Sequence, residues 1–159
     1  MLRDAGVQVL LGGGDAVSFS VRGTTVGFCG TKGFCGGFGA RCLTPFGENT
    51  IKSFIAETKE EAERIRHDLQ ALHTHLKIVV LHYAPVEATV IGEPRELFPF
   101  LGSSLLCGPI DEVGANLVVH GHAHYGTEHG ATESGIPVRN TALPVLKRSY
   151  AVLEFPAAG

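Results

Sequence analysis

The chain has no Cys-x-x-Cys pair, no Gly-Lys-Ser or Gly-Lys-Thr triplet, and no apolar run long enough to cross a bilayer. Each absence removes a class of function. Without paired cysteines at metal spacing, neither a zinc ribbon nor a thioredoxin-type redox motif is supported. The four cysteines, Cys29, Cys35, Cys42 and Cys107, therefore read as reduced thiols of a cytoplasmic protein. Without a Gly-Lys-Ser/Thr after a strand there is no phosphate-cradling P-loop. The lack of a long apolar run argues against a membrane span, and the N-terminus shows no signal-peptide pattern. Positive charge is also scarce: 13 Lys and Arg against 16 Asp and Glu give a net charge of -3. Nucleic-acid binding needs clustered cations on one face, so nothing here indicates it. With 159 residues and no repeat or linker, residues 1–159 read as a single domain.

What the chain does have is histidine in telling places. Ala115-Asn116-Leu117-Val118-Val119 is a short apolar run that stops at His120-Gly121-His122-Ala123-His124. Leu76-Lys77-Ile78-Val79-Val80-Leu81 is a second run, and it stops at His82-Tyr83-Ala84-Pro85. Short β-branched runs ending this way read as buried strands that deliver side chains at their carboxyl ends. Ligand sites of open α/β sheets lie at those ends. Imidazole is a common ligand for zinc-, manganese- and iron-like ions, so His82, His122 and His124 are the candidate metal ligands. On extended backbone His122 and His124 point the same way, and His120 shares that phase. His120 is thus a candidate supporting residue or proton donor, or else a packed strand-end histidine. His67, His73 and His75 are expected to face solvent.

The remaining layout is α/β. Val7-Leu11 and Ala16-Val21 flank Gly12-Gly13-Gly14-Asp15 and read as strands joined by a turn. A strand through Thr25-Phe28 leads into a glycine-rich loop over Gly30–Gly39. Its glycines permit close backbone approach, with Phe34 and Phe38 lining a pocket, or the loop is simply mobile. Apolar residues at Ile51, Phe54, Ile55, Ala62, Ile65, Leu69 and Leu72 predict a helix from Asn49 to Thr74, with Asn49 as N-cap and a Glu60–Arg64 pair on its solvated side. A second helix is expected near Ser103 to Val113. Strands are expected at Ile136–Asn140, with Pro137 at an edge or a strand start, and at Ser149–Phe155.

In this layout Leu81-His82-Tyr83-Ala84-Pro85, Val119-His120-Gly121-His122-Ala123-His124 and Val138-Arg139-Asn140-Thr141-Ala142-Leu143-Pro144 stand in an order that resembles the calcineurin-like metallophosphoesterases. The likeness runs from about Val7 to Phe155. It implies a phosphoester substrate, hydrolysed as a phosphomono- or phosphodiester, and two divalent ions (Mn, Fe or Zn). His82 and His122 would serve one ion and His124 the other. Two such ions about 3.5–4 Å apart lower the pKa of a bridging water and clamp an in-line displacement at phosphorus.

The upstream motifs of that family, Asp-x-His, Gly-Asp and Asn-His, are not found. Gly14-Asp15 spells the second but sits in a turn, and Met1 to Gly6 looks like the tail of a helix. The expectation is therefore a partial metallophosphoesterase sandwich lacking its N-terminal half. Three neutral imidazoles hold one ion but not two side by side without a bridging anion. Such a chain should not hydrolyse phosphoesters at family rates on its own. It should also expose an apolar sheet face, favouring a homo-oligomer or a complementary half. Two alternatives compete. His122-Ala123-His124, Glu128 and Gly135 partly fit a cupin motif, which implies a mononuclear metal protein on a jelly roll. A non-catalytic interaction module built on the same half-fold is the other.

Overall fold

A computed structural model describes residues 2–155. Its centre is one mixed six-stranded sheet of order β1-β2-β3-β4-β6-β5. The strands are β1 (Val17–Val21), β2 (Thr24–Thr31), β3 (Leu76–Leu81), β4 (Leu117–His120), β5 (His129–Ala131) and β6 (Pro137–Asn140). Four helices accompany them: α1 (Asn49–Ala71), α2 (Phe98–Leu101), α3 (Cys107–Val113) and α4 (Leu143–Leu146). Strands β2, β3, β4 and β6 run parallel, and β1 and β5 are antiparallel edges. The α/β class thus holds. A jelly roll does not, because it is built of antiparallel strands and has no place for a 23-residue helix between parallel neighbours.

Register divides the sheet into two unlike faces. Cys29, Val79, Val118 and Val138 point to one side and meet Ile65 and Leu69 of α1 and Ile110 of α3 in the main core. The other side carries Val17, Phe19 and Val21 on β1, Val26 and Phe28 on β2, Ile78 and Val80 on β3, and Leu117 and Val119 on β4. None of these nine residues belongs to either buried apolar cluster found among the described residues. Phe19 and Val21 are 51% and 55% exposed. Apolar alternation on both sides of a strand is the pattern of a sheet meant to be covered twice. Here helices are packed on one side.

Several sequence expectations need correction. Val7–Leu11 is irregular, and the hairpin lies one step later, between β1 and β2. Its two turn residues, Arg22 and Gly23, both have positive φ (51° and 84°), as a two-residue turn matched to strand twist requires. Residues 149–155 form no strand either. The position beside β6 is already taken by β5, whose His129-Gly130-Ala131 has no β-branched residue to announce it. Pro137 does begin its strand, but that strand is internal. Asn49 is the first helical residue, with Glu48 in the cap position and no side-chain cap bond. The second helix is split into a 3-10 turn over Ser104–Leu106, capped by the Ser103 hydroxyl, and α3. Near the N-terminus Arg3–Ala5 is a 3-10 turn, and Met1 lies outside the described residues.

The glycine-rich loop is hydrogen-bonded to its neighbours along residues 33–37. Three polar side chains on the buried stripe of α1 hold backbone next to it. Thr58 donates to the carbonyl of Cys35 at 2.6 Å, Glu61 accepts from the Gly33 amide at 3.2 Å, and Asp68 accepts from the Gly14 amide at 2.6 Å. Further along, Gly36 and Gly37 donate to the carbonyls of Pro99 and Gly102. Phe34 packs edge-on to Tyr83 and against Phe54, while Phe38 meets Phe98. Both rings are packing residues. Arg64 pairs with Glu61 and not with Glu60.

Ile65 is fully buried between α1 and the sheet, whereas Ile51 on the first turn is exposed. Ile65→Ala should lower the unfolding free energy by about 2–5 kcal/mol through lost contacts and a residual cavity. Ile51→Ala should cost less than about 1 kcal/mol. Urea denaturation of the two variants checks this, and equal losses would contradict the core as drawn.

Candidate functional site

Parallel strands in one register end together, so the loops after β2, β3, β4 and β6 gather along one edge of the sheet. The backbone stitches them into a unit. His82 donates its amide to the carbonyl of Lys32, and Gly121 donates to the carbonyl of His82 at 3.3 Å. Thr141 donates to the carbonyl of His120 at 2.7 Å. These links bring His82, just after β3, beside His122, just after β4.

The two imidazole rings lie 4.7 Å apart, centroid to centroid, and are tilted by 48°. Tyr83 stands edge-on to both, 5.1 Å from His82 and 4.6 Å from His122. His122 Nε2 lies 3.3 Å from the carbonyl of Phe100. A carbonyl only accepts, so Nε2 is the donor in this contact and Nδ1 is the ring nitrogen left for a metal. His82 is held below the ordinary imidazole range, first by burial and then by the nearness of His122 and His124. Both effects favour a neutral ring with a lone pair to offer.

His124 lies in the exposed turn that follows. Among the described residues no three His, Cys, Asp or Glu side chains form a group that could hold a metal ion. Two of the three expected ligands are therefore brought together, and the third does not complete a preformed cluster. The reason is visible in the backbone. The extended phase stops at His120, because His122 has φ of +67° and turns the chain into the left-handed region. Spacing of two residues no longer means a shared direction.

For the same reason His120 does not share the site. It is fully buried on the core face of β4, with Nδ1 donating to the Gly121 carbonyl and Nε2 2.8 Å from the Thr89 hydroxyl. The packed strand-end reading fits it. His67, His73 and His75 face solvent as expected.

Asn140 is the residue that sequence reasoning underrated. It ends β6 with no exposed surface, and its amide donates to the carbonyls of Ala123 at 2.7 Å and Thr89 at 3.3 Å. Its side-chain oxygen accepts from the Ala142 amide. An Asn closing a buried strand was the available signal, since a fully buried amide must find partners. Glu128, the carboxylate of the cupin-like pattern, is instead paired with Arg139 and Arg148.

The two-ion centre implied by the resemblance does not fit these residues. Two dications need a bridging anion, and no acidic side chain joins the pair in a ligand group among the described residues. One divalent ion fits better, with His82 and His122 as its protein ligands and water at the open positions.

No protein-family model matches the sequence, and no curated protein matches it significantly. A solved structure described only as a crystal structure superposes with a TM-score of 0.43 and 14% sequence identity. The alignment covers 79% of this chain and 44% of the other, so this chain spans less than half of that protein's length. A likeness so distant carries no argument about activity. No described helix is long and apolar enough to cross a membrane.

Burial pushes the pKa of His120 down to about 4 from an ordinary 6.5. The folded protein thus favours the neutral ring. Stability from this group is complete above pH 6.5 and is lost as pH falls through 4, by about 3 kcal/mol in all. Unfolding measured between pH 7 and pH 4 should show that decline, and His120→Gln should flatten it. An identical slope in the variant would mean that other groups dominate acid sensitivity.

Proposed function

We propose that the chain supplies the histidine-bearing part of a calcineurin-like metallophosphoesterase site, with a phosphomono- or phosphodiester as substrate class. The observation that supports it is the meeting of His82 and His122 on adjacent parallel strand ends, with ring centroids 4.7 Å apart. Two imidazoles in contact at a sheet edge form a donor pair for a divalent cation of the manganese, iron or zinc type. A cation held there would supply Lewis acidity and a water of lowered pKa.

The chain's own contribution is to hold that pair. The Phe100 carbonyl selects the tautomer of His122, Tyr83 packs edge-on against both rings, and Asn140 anchors the turn that follows His122. The bridging carboxylate and the remaining ligands of a two-ion centre are missing from the site. Turnover at the rates of that family accordingly requires ligands supplied by another polypeptide segment. Without them the chain is a single-ion binding protein.

Titration with Mn2+ or Zn2+ by calorimetry should give one ion per chain, and His82→Ala or His122→Ala should abolish it. Two tight sites would overturn the missing-ligand argument, and no binding at all would overturn the metal reading. Bis(p-nitrophenyl) phosphate should be hydrolysed at background rate by this chain in the presence of the same ion.

A further inference from the structure

Glu93 lies beside the histidine edge and has no part in the metal reading. Its side chain is 9% exposed, and its Oε1 accepts the Tyr125 amide at 2.8 Å. Its Oε2 has no hydrogen-bond or ion-pair partner among the described residues, the nearby Arg95 and His124 included. The sealed side-chain oxygen without a partner among those residues is Asp68 Oδ2, so Glu93 Oε2 keeps access to solvent. A carboxylate buried to this degree is rarely left without a positive partner.

The backbone holds this carboxylate at a fixed place. A Cβ at Gly92 would stand 2.1 Å from the Tyr125 carbonyl, and one at Gly126 2.1 Å from that of Thr89. The Thr127 hydroxyl donates to the Ile91 carbonyl at 2.9 Å and ties the same two loops again. Beside Glu93 the ring of Tyr125 is 76% exposed, and Ile91 is exposed too. Tyr125 follows His122 by three residues, no more than about 10 Å of backbone away.

We propose that Glu93 and the Tyr125 ring form a subsite for an alkylammonium group, which makes the substrate class a phosphoester of an amino alcohol. The phosphoester part of this statement rests on the metal reading above; the ammonium subsite does not. The chemistry selects a cation. A carboxylate drawn largely out of water gains most from a full opposite charge, and an exposed aromatic face beside it attracts the same group. A nucleobase edge that donates twice would need both oxygens, and Oε1 is already engaged by the Tyr125 amide. A single ammonium needs only Oε2.

Ethanolamine titrated at pH 7 into metal-free protein tests the subsite by itself. The reporter is the Tyr125 amide in proton–nitrogen NMR, because that group is bonded to Glu93. It should shift saturably with ethanolamine and not with ethylene glycol or matched sodium chloride. Glu93→Gln, which can still accept from Tyr125, should remove the shift while the rest of the spectrum stays folded. In zinc-loaded protein, phosphoethanolamine should bind about tenfold more tightly than ethyl phosphate, the increment of one charge-assisted hydrogen bond. Glu93→Gln should bring that ratio to about one, and Glu96→Gln, exposed on the same segment, should preserve it. No saturable shift with ethanolamine overturns the subsite, whatever zinc does. A shift in a chain that takes up no zinc upholds the subsite and removes the phosphoester part together with the metal reading. A ratio near one in unaltered zinc-loaded protein overturns the amino-alcohol assignment. So does guanosine monophosphate if it binds more tightly than phosphoethanolamine and loses that advantage in Glu93→Gln.

Discussion

The amide of Asn140 is the interaction on which the histidine edge depends. Fully buried at the end of β6, it joins the turn after β4 at Ala123, the 3-10 turn at Thr89 and the entry to α4 at Ala142. Those three segments have no sheet ladder in common. One side chain that donates twice and accepts once therefore replaces what secondary structure would supply elsewhere. The group is sealed from water, so a lost partner would cost its full desolvation, on the order of 1–3 kcal/mol. The turn that follows His122 is tied down at Ala123 for this reason, directly after the left-handed backbone of His122.

A similar logic governs the glycine-rich segments. Helix α1 buries Thr58, Glu61 and Asp68 on a stripe that a purely apolar helix would fill with leucine. Each of these side chains meets a backbone group of a loop that has no strand partner of its own. The glycines permit the approach. At Gly12 a Cβ would stand 2.8 Å from the Cβ of Arg64, and φ of +79° already excludes most side chains. Polar burial and glycine content thus solve one problem together, the docking of irregular chain onto a helix.

Legibility in the sequence followed the strength of local periodicity. Helix α1, strands β3 and β4 and the closeness of His82 to His122 were readable, because long 3.6-residue spacing and β-branched runs ending in histidine leave few alternatives. The β1–β2 hairpin was misplaced because Gly12-Gly13-Gly14 is a stronger visual turn than Arg22-Gly23, although the latter makes it. Strand β5 was missed, and a strand at residues 149–155 was expected in error, since edge pairing is decided by which segment the fold lays beside β6 and not by local composition. His124 and His120 were assigned by strand phase, and one left-handed residue between them broke that phase. No periodicity rule registers a single backbone torsion.

Two of the buried thiols turn the core into its own reporter. Cys29 on β2 and Cys107 on α3 lie in the same apolar cluster, in the sheet layer and the helix layer respectively. Burial, with carboxylates nearby, raises each to about 12, so neither forms a thiolate while the layers stay closed. Alkylation at either sulfur thus requires the interior to open. Equal labelling rates would mean that helix and sheet separate as one cooperative unit, and unequal rates would time a layer that breathes alone.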